Sequence, residues 1–290
     1  VGAGDRVAVS TLTFAGSVYP ILYQNAVPVL IDSETQSGNI DPDLVEEYLA
    51  DAARRGKLPK VLIAVHLYGQ HADIDRIAAS CAQYGVALVE DAAESLGATY
   101  KGRPTGTTAP HAILSFNGNK IITTTGGGMV LAQDPDSLAR MRKWANQSRE
   151  PAVEYLHKEV GYNYRMTDVH AALGLSQLSR LRGFIDTRNA LAERYGQMLR
   201  DTPLDLRQYA IDSSKREDVT VQRFPMLEVK QTNRILPPSE RGTMRWDKNP
   251  WEVTAGDFGD PKGHLESAGT YWLLPYWLGR YLNIIGPPQG

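Results

Sequence analysis

A single cysteine, Cys81, in 290 residues leaves no partner for an internal disulfide. It falls on the apolar side of a predicted helix, which makes it a packed thiol rather than a reactive one and fits a reducing cytoplasm. Long apolar runs are also absent. The most apolar stretch, YWLLPYWLGRYLNIIG from Tyr271 to Gly286, is too short and too interrupted by Pro275 and Arg280 to span a bilayer. No Lys/Arg run of any length occurs and the formal charge is only -2, so nothing electrostatic points to nucleic acid or an anionic membrane as the main partner. H-E-x-x-H, paired C-x-x-C and G-x-S-x-G are missing, which removes support for metalloprotease, zinc-ribbon and serine-hydrolase chemistry. The six histidines are scattered and imply no metal.

What is present is an alternation of short β-branched runs with helical stretches, the pattern of a largely parallel sheet covered by helices. Strands are expected at Arg6 to Ser10, Val27 to Ile31, Val61 to His66, Val86 to Glu90, Ala112 to Phe116 and Gly128 to Ala132. Ile74, Ile77, Ala78, Cys81 and Tyr84 recur at three- and four-residue intervals and end at Gly85, marking a crossover helix. Asp41 to Arg55, with Pro42 in its first turn, and the segment around Leu138 to Ala145 read the same way. From Thr167, a predicted N-cap, a long helix or two joined near Gly183 runs to about residue 200. At this length and 42% hydrophobic content the chain can bury a sizeable core. The organisation expected is an α/β domain over 1–200 and a small C-terminal region over 201–290. In the latter, periodicity weakens and Trp246, Trp251, Trp272 and Trp277 crowd together.

Two segments carry candidate chemistry. In SFNGNKIITTTGGGM, Lys120 follows a strand end, where open α/β sheets collect ligand-binding groups. By position alone it reads as a solvated loop lysine, a phosphate clamp or an amine nucleophile. In GVALVEDAAES a hydrophobic strand ends at Glu90 and Asp91, then gives small residues Ala92 and Ala93 and a further acid, Glu94. Alone, such an acid is a helix cap or a surface charge. Together, a lysine and an acid facing one crevice suit a cofactor with a protonatable ring nitrogen. Pyridoxal phosphate has that requirement: a lysine attaches it and an acid pairs with its ring nitrogen. Ser115 and turn N–H groups are a reasonable part of a phosphate site. The glycines 126 to 128 lack the spacing of a dinucleotide loop and precede a strand, so they read as backbone that turns sharply near a bound group. His66, at a strand end, reads equally as a packed or loop-bonded residue and as a substrate contact.

PVLIDSETQSGNIDPDLVEEYL, VLIAVHLYGQHADIDRIAASCAQYG, VEDAAESLGATYKGR, SFNGNKIITTTGGGMV and GYNYRMTDVHAALGLSQL resemble, in order and spacing, the DegT/DnrJ/EryC1/StrS sugar aminotransferases. EDAAESLGA with SFNGNKIITT is most similar to enzymes that aminate a nucleotide-linked 4-keto-6-deoxy sugar, as in bacillosamine-type pathways of amino-sugar and cell-surface glycan synthesis. The resemblance implies a fold-type I (aspartate aminotransferase-like) large domain with a mainly parallel mixed sheet. It implies that Lys120 carries pyridoxal 5'-phosphate and moves the proton, with glutamate the expected amino donor. Asp91 would pair with the ring nitrogen, Glu94 would lie beside the phenolic oxygen, and Ser115 would bind the phosphate. Phe14, in STLTFAGS, would stack on the ring, and Asn163, in GYNYR, would reach the phosphate from the second subunit of a homodimer. In a related branch of sugar dehydratases a histidine replaces the lysine, and Lys120 argues against that activity.

The resemblance covers roughly the first 200 residues. The chain opens at Val1 without methionine, and the expectation is that a family N-terminal segment which helps bind the cofactor phosphate is missing. After about Tyr209 the small-domain pattern of the family is not found, as in a fragment whose C-terminal part is out of frame or divergent. Translation of the coding DNA in its other frames tests this: no frame restoring a family-like domain would reject a frameshift. A fold kept for binding or regulation without turnover is the alternative function.

Overall fold

The computed structural model describes residues 1–200 and two further strands, Leu204–Arg207 and Met226–Val229. Expectations for the tryptophan cluster, the apolar segment Tyr271 to Gly286 and the rest of 201–290 lie outside the described residues. The chain divides into two compact units, the first including Val1–Ala190 and the second Leu191–Gln208. The sheet that carries the candidate site lies in the first.

Strand β1 (Arg6–Ser10) leads through a 3-10 turn at Ala15–Ser17 and a short helix, α1 (Tyr19–Tyr23), into β2 (Val27–Ile31). Helix α2 (Pro42–Arg54), β3 (Val61–Val65), α3 (Ile74–Tyr84) and β4 (Ala87–Asp91) follow. A small ribbon of β5 (Thr99–Tyr100) and β6 (Arg103–Pro104) precedes β7 (His111–Ser115) and β8 (Gly128–Ala132). Helices α4 (Pro135–Ala145), α5 (Asp168–Leu178) and α6 (Leu181–Leu199) come next, then the antiparallel pair β9 (Leu204–Arg207) and β10 (Met226–Val229). The six expected strands are present within one residue at each end. The long helix expected after Thr167 is two, and the break falls at Ser179 and Arg180 rather than at Gly183, which lies inside α6.

Local chemistry explains the helix starts. Asp41 accepts the Asp43 N–H ahead of α2, Asp134 accepts those of Asp136 and Ser137 ahead of α4, and Thr167 accepts that of His170 ahead of α5. Pro42 and Pro135 occupy first-turn positions that need no N–H donor.

The sheet order is β2-β1-β3-β4-β7-β8, parallel throughout except for antiparallel β7 and β8. This is the mixed, mainly parallel sheet that the alternation predicts. Period-two alternation sorts each strand between two cores. Ala8, Leu62, Ala64 and Leu88 join residues of α2 and α3, including Leu49, Ile77 and buried Cys81, on one face. Burial pushes the Cys81 thiol up to about 11, so it is a packed hydrophobe and not a nucleophile. Val7 and Val9, with Val61 and Ile63, join Ile21 on the other face. Among the described residues no helix is long and apolar enough to cross a membrane.

From β1 the chain moves to the β2 edge, then returns across β1 to β3 and continues the other way. Such a reversal opens a crevice beyond the carboxyl ends of the strands that flank it. Gly127 makes the sharp turn that the sequence suggests, at φ 95°, and Gly128 then passes close to the neighbouring strand. A Cβ on Gly128 would sit 2.5 Å from the Leu114 carbonyl oxygen, so the close neighbour is strand β7 of the same sheet.

Candidate active site

A cavity of about 260 Å³ lies at that reversal. Its walls come from the segment after β1 (Thr13, Phe14, Gly16, Ser17) and from the carboxyl-terminal parts of β3, β4 and β7 with the turns that follow them (Val65 and Leu67; Asp91, Ala93 and Glu94; Ile113, Ser115, Asn117, Asn119 and Lys120). Sheet register builds the floor. Val65 pairs with Asp91 and Asp91 with Ile113, which puts three side chains of adjacent strands on one face, with Ser115 two residues further along. Glu90 takes the opposite face because successive residues of a strand alternate.

Of the six residues singled out in the sequence, Phe14, Asp91, Glu94, Ser115 and Lys120 line this one cavity. Asn163 does not: it is exposed and forms an isolated antiparallel bridge with Asn146. Lys120 Nζ lies 3.1 Å from Glu94 Oε1, with both side chains largely covered. The other Glu94 oxygen accepts the Tyr68 N–H at 3.0 Å. Tyr68 reaches this position in the left-handed region, at φ 53° and ψ 33°, which costs roughly 1–2 kcal/mol for a residue with a Cβ. Strain of this kind is held where surrounding structure fixes it, and here it aims a backbone donor at the acid beside the lysine. Ser115 Oγ accepts the Asn117 N–H at 3.3 Å, so the loop that leads to Lys120 folds back over the end of β7.

Phe14 is 79% exposed at the cavity mouth, an unusual place for a phenyl ring with nothing to cover. The absence of a side chain at Gly16 makes room for it, since a Cβ there would approach the ring to 3.0 Å. The small pair after β4 divides: Ala93 lines the cavity, while Ala92 is buried in the cluster with Leu114, Phe116 and Ile122. Two hydroxyls that no sequence signal marks complete this wall. Ser17 donates to Asp91 Oδ2 at 2.6 Å, and Thr13 Oγ1 lies 2.7 Å from Ser17 Oγ. Nothing in the chain pattern announces them, because Ser17 and Asp91 are 74 residues apart.

Behind the floor, His66, His71 and Glu90 are buried with ligand-type atoms all within 4.8 Å of one another. Hydrogen bonding argues against a metal there. The Ala72 N–H meets His66 Nδ1 at 3.2 Å, which assigns the ring proton to Nε2, 2.9 Å from Glu90 Oε2. Coordination at Nε2 would move that proton to Nδ1 and set two donors against each other. Glu90 also accepts the N–H groups of Gly106, Thr108 and Ala109. His66 is thus a hydrogen-bonded packing residue and not a substrate contact. Burial alone would raise the Glu90 carboxyl, but His66 and the Ala109 N–H outweigh it and hold it below its ordinary value.

His71 packs at a tilt against two rings, with centroids 3.8 Å from His66 and 5.0 Å from Tyr100, and has no well-formed hydrogen bond at either ring nitrogen. Burial, assisted by His66, pushes it from 6.5 down to about 3. A depressed folded-state value means that the unfolded chain binds the proton more readily. Stability from this group is therefore complete above about 6.5 and declines as pH falls toward 3, by about 1.4 kcal/mol per pH unit. Wild-type protein is expected to lose about 2 kcal/mol more than His71→Leu between pH 6.5 and 5 in urea unfolding. Equal losses would refute the assignment.

The sheet, its crevice and the lysine–acid pair define an aminotransferase-type α/β domain, and the solved structures that resemble it agree. A DegT DnrJ EryC1 StrS aminotransferase from Brucella abortus superposes with a TM-score of 0.71 at 26% identity, covering 81% of this chain and 61% of that one. The sequence profile of the DegT/DnrJ/EryC1/StrS aminotransferase family matches residues 1–235, and the chain belongs to that family. EpsN of Bacillus subtilis, itself a candidate pyridoxal phosphate-dependent aminotransferase, is 48% identical over 199 residues, 69% of this chain and 51% of EpsN. The GDP-perosamine synthase of Caulobacter vibrioides is 39% identical over 199 residues, 69% of this chain and 52% of that enzyme. The chain spans about half the length of these relatives.

Proposed function

We propose that this protein is a pyridoxal 5'-phosphate-dependent aminotransferase of the cytoplasm that transfers an amino group from glutamate to a nucleotide-linked 4-keto-6-deoxy sugar in amino-sugar synthesis. The observation that carries this reading is the convergence of Lys120, Asp91, Glu94, Ser115 and Phe14 on one cavity in a member of this family. The similarity to a GDP-perosamine synthase supports a nucleotide-sugar substrate.

The donor set fits the cofactor. Lys120 would supply the amine that holds the cofactor covalently, and the same amine would move a proton at the substrate carbon. Asp91 supplies the carboxylate that holds a proton on a ring nitrogen, and Ser115 with the Asn117 segment supplies donors for a phosphate. Glu94, ion-paired with Lys120, keeps the Nζ aimed at the cavity, and Phe14 covers a ring face and excludes water. Bound pyridoxal phosphate supplies the electron sink that stabilises negative charge at the substrate carbon.

A homodimer with Asn163 contributed across the interface belongs to the same proposal. Its support is a run of exposed apolar side chains along the chain that includes Asn163: Val160, Tyr164, Val169 and Leu175 are all more than half exposed, and α5 buries no side chain. Sedimentation at micromolar concentration is expected to give a dimer, and a monomer there would reject it. The function itself is tested with cofactor-loaded protein. L-Glutamate should bleach the visible absorbance band and a nucleotide-linked 4-keto-6-deoxy sugar should restore it. A band that no amino donor bleaches would sink the aminotransferase reading.

A further inference from the structure

The turn at Ala15–Ser17 does two things at once: it presents Phe14 at the cavity mouth and sends Ser17 inward to Asp91. Ser17 and Asp91 are 7% and 8% exposed, so water does not compete for this contact. An ionised carboxylate only accepts hydrogen bonds, which commits the single Ser17 proton to Asp91 Oδ2, at 2.6 Å. The Ser17 oxygen is then left as an acceptor, so the 2.7 Å contact with Thr13 is a bond donated by Thr13. The hydroxyls form a directed chain, Thr13 to Ser17 to Asp91. The other carboxylate oxygen, Oδ1, accepts the Ala93 N–H at 3.1 Å. One donor on each oxygen fixes the rotation of the carboxylate about its χ angles, and a short bond to an ionised acceptor is about twice as strong as a neutral one.

We propose that Ser17, supported by Thr13, is a positioning residue that holds the Asp91 carboxylate in the orientation in which it engages a cationic ring nitrogen. The inference rests on the function proposed above and adds to it a residue that acts through Asp91 rather than on substrate. It also explains why a serine is buried at the end of the Ala15–Ser17 turn, where an apolar residue would pack without a partner.

The test is pyridoxal phosphate affinity and turnover in Ser17→Ala, Ser17→Thr, Thr13→Val, Asp91→Asn and the Ser17→Ala/Asp91→Asn double variant. Ser17→Ala is expected to weaken cofactor affinity about tenfold and lower kcat about tenfold, with the KM for the amino donor little changed. Ser17→Thr, which keeps the hydroxyl, should restore both, and Thr13→Val should fall between. In the Asp91→Asn background Ser17→Ala should have no further effect on affinity, because its influence runs through that carboxylate. The cofactor-free Ser17→Ala protein should stay folded, with its melting temperature lowered by only a few degrees. Wild-type affinity and kcat in Ser17→Ala, failure of Ser17→Thr to rescue, or additive losses in the double variant would each overturn the proposal. If wild-type protein binds no pyridoxal phosphate, the proposed function itself fails. Binding with an indifferent Ser17 overturns only this inference.

Discussion

Replacing Lys120 with alanine is expected to lower amino transfer by at least about 10³-fold, the scale of losing a positioned acid–base group. The substitution should also remove the borohydride-sensitive visible band. Its effect on folding should be small, since the Lys120 side chain is 13% exposed and makes a single described ion pair, with Glu94. The Asn117–Lys120 turn is closed by a backbone bond that alanine retains. The loss would therefore appear in kcat with the melting temperature nearly unchanged. A Lys120→Ala protein that turned over within tenfold of wild type would remove the residue from the mechanism.

The largest expected stability effect lies one residue before Asp91. Glu90 is fully buried and accepts four hydrogen bonds, from His66 and the N–H groups of Gly106, Thr108 and Ala109. It joins the end of β3 to the loop that enters β7, so the strands that carry Val65, Asp91 and Ser115 are tied together behind the cavity floor. Glu90→Ala would leave four donors buried without an acceptor, at a cost of about 3–5 kcal/mol. In a protein of this size that lowers the melting temperature by roughly 10 °C. Glu90→Gln keeps one acceptor but turns an amide N–H₂ toward backbone donors, and should fall between. A Glu90→Ala melt that matches wild type would mean that the loop is held by other contacts. Loss of cofactor affinity in Glu90→Gln, whose fold is less damaged, would connect this network to the orientation of Asp91.

The strands and most helices were legible because each rests on local rules: β-branched runs, three- and four-residue apolar spacing, and caps such as Asp41 and Thr167. The joint between α5 and α6 was misplaced because Gly183 looks like a breaker, whereas the chain turns at Ser179 and Arg180. Five of the six site residues meet in one cavity, and the reason is visible in retrospect. Each lies at or just beyond the carboxyl end of a strand, and the sheet order brings those ends together. What stayed hidden depends on register and on contacts between distant segments. Ser17 is an ordinary serine until β1 lies near β4, and Glu90 differs from its neighbour Asp91 only in the face of the strand it occupies. In the run of glycines the sharp turn was legible, at Gly127 with φ 95°, whereas the close approach of Gly128 to Leu114 depends on the pairing of β7 with β8.

Mapping the covalent attachment point decides whether this cavity is the active site. Protein incubated with pyridoxal phosphate, reduced with borohydride and digested should yield a single modified peptide, with the added mass on Lys120. Modification of a different lysine, or none, would contradict the assignment of this cavity as the active site.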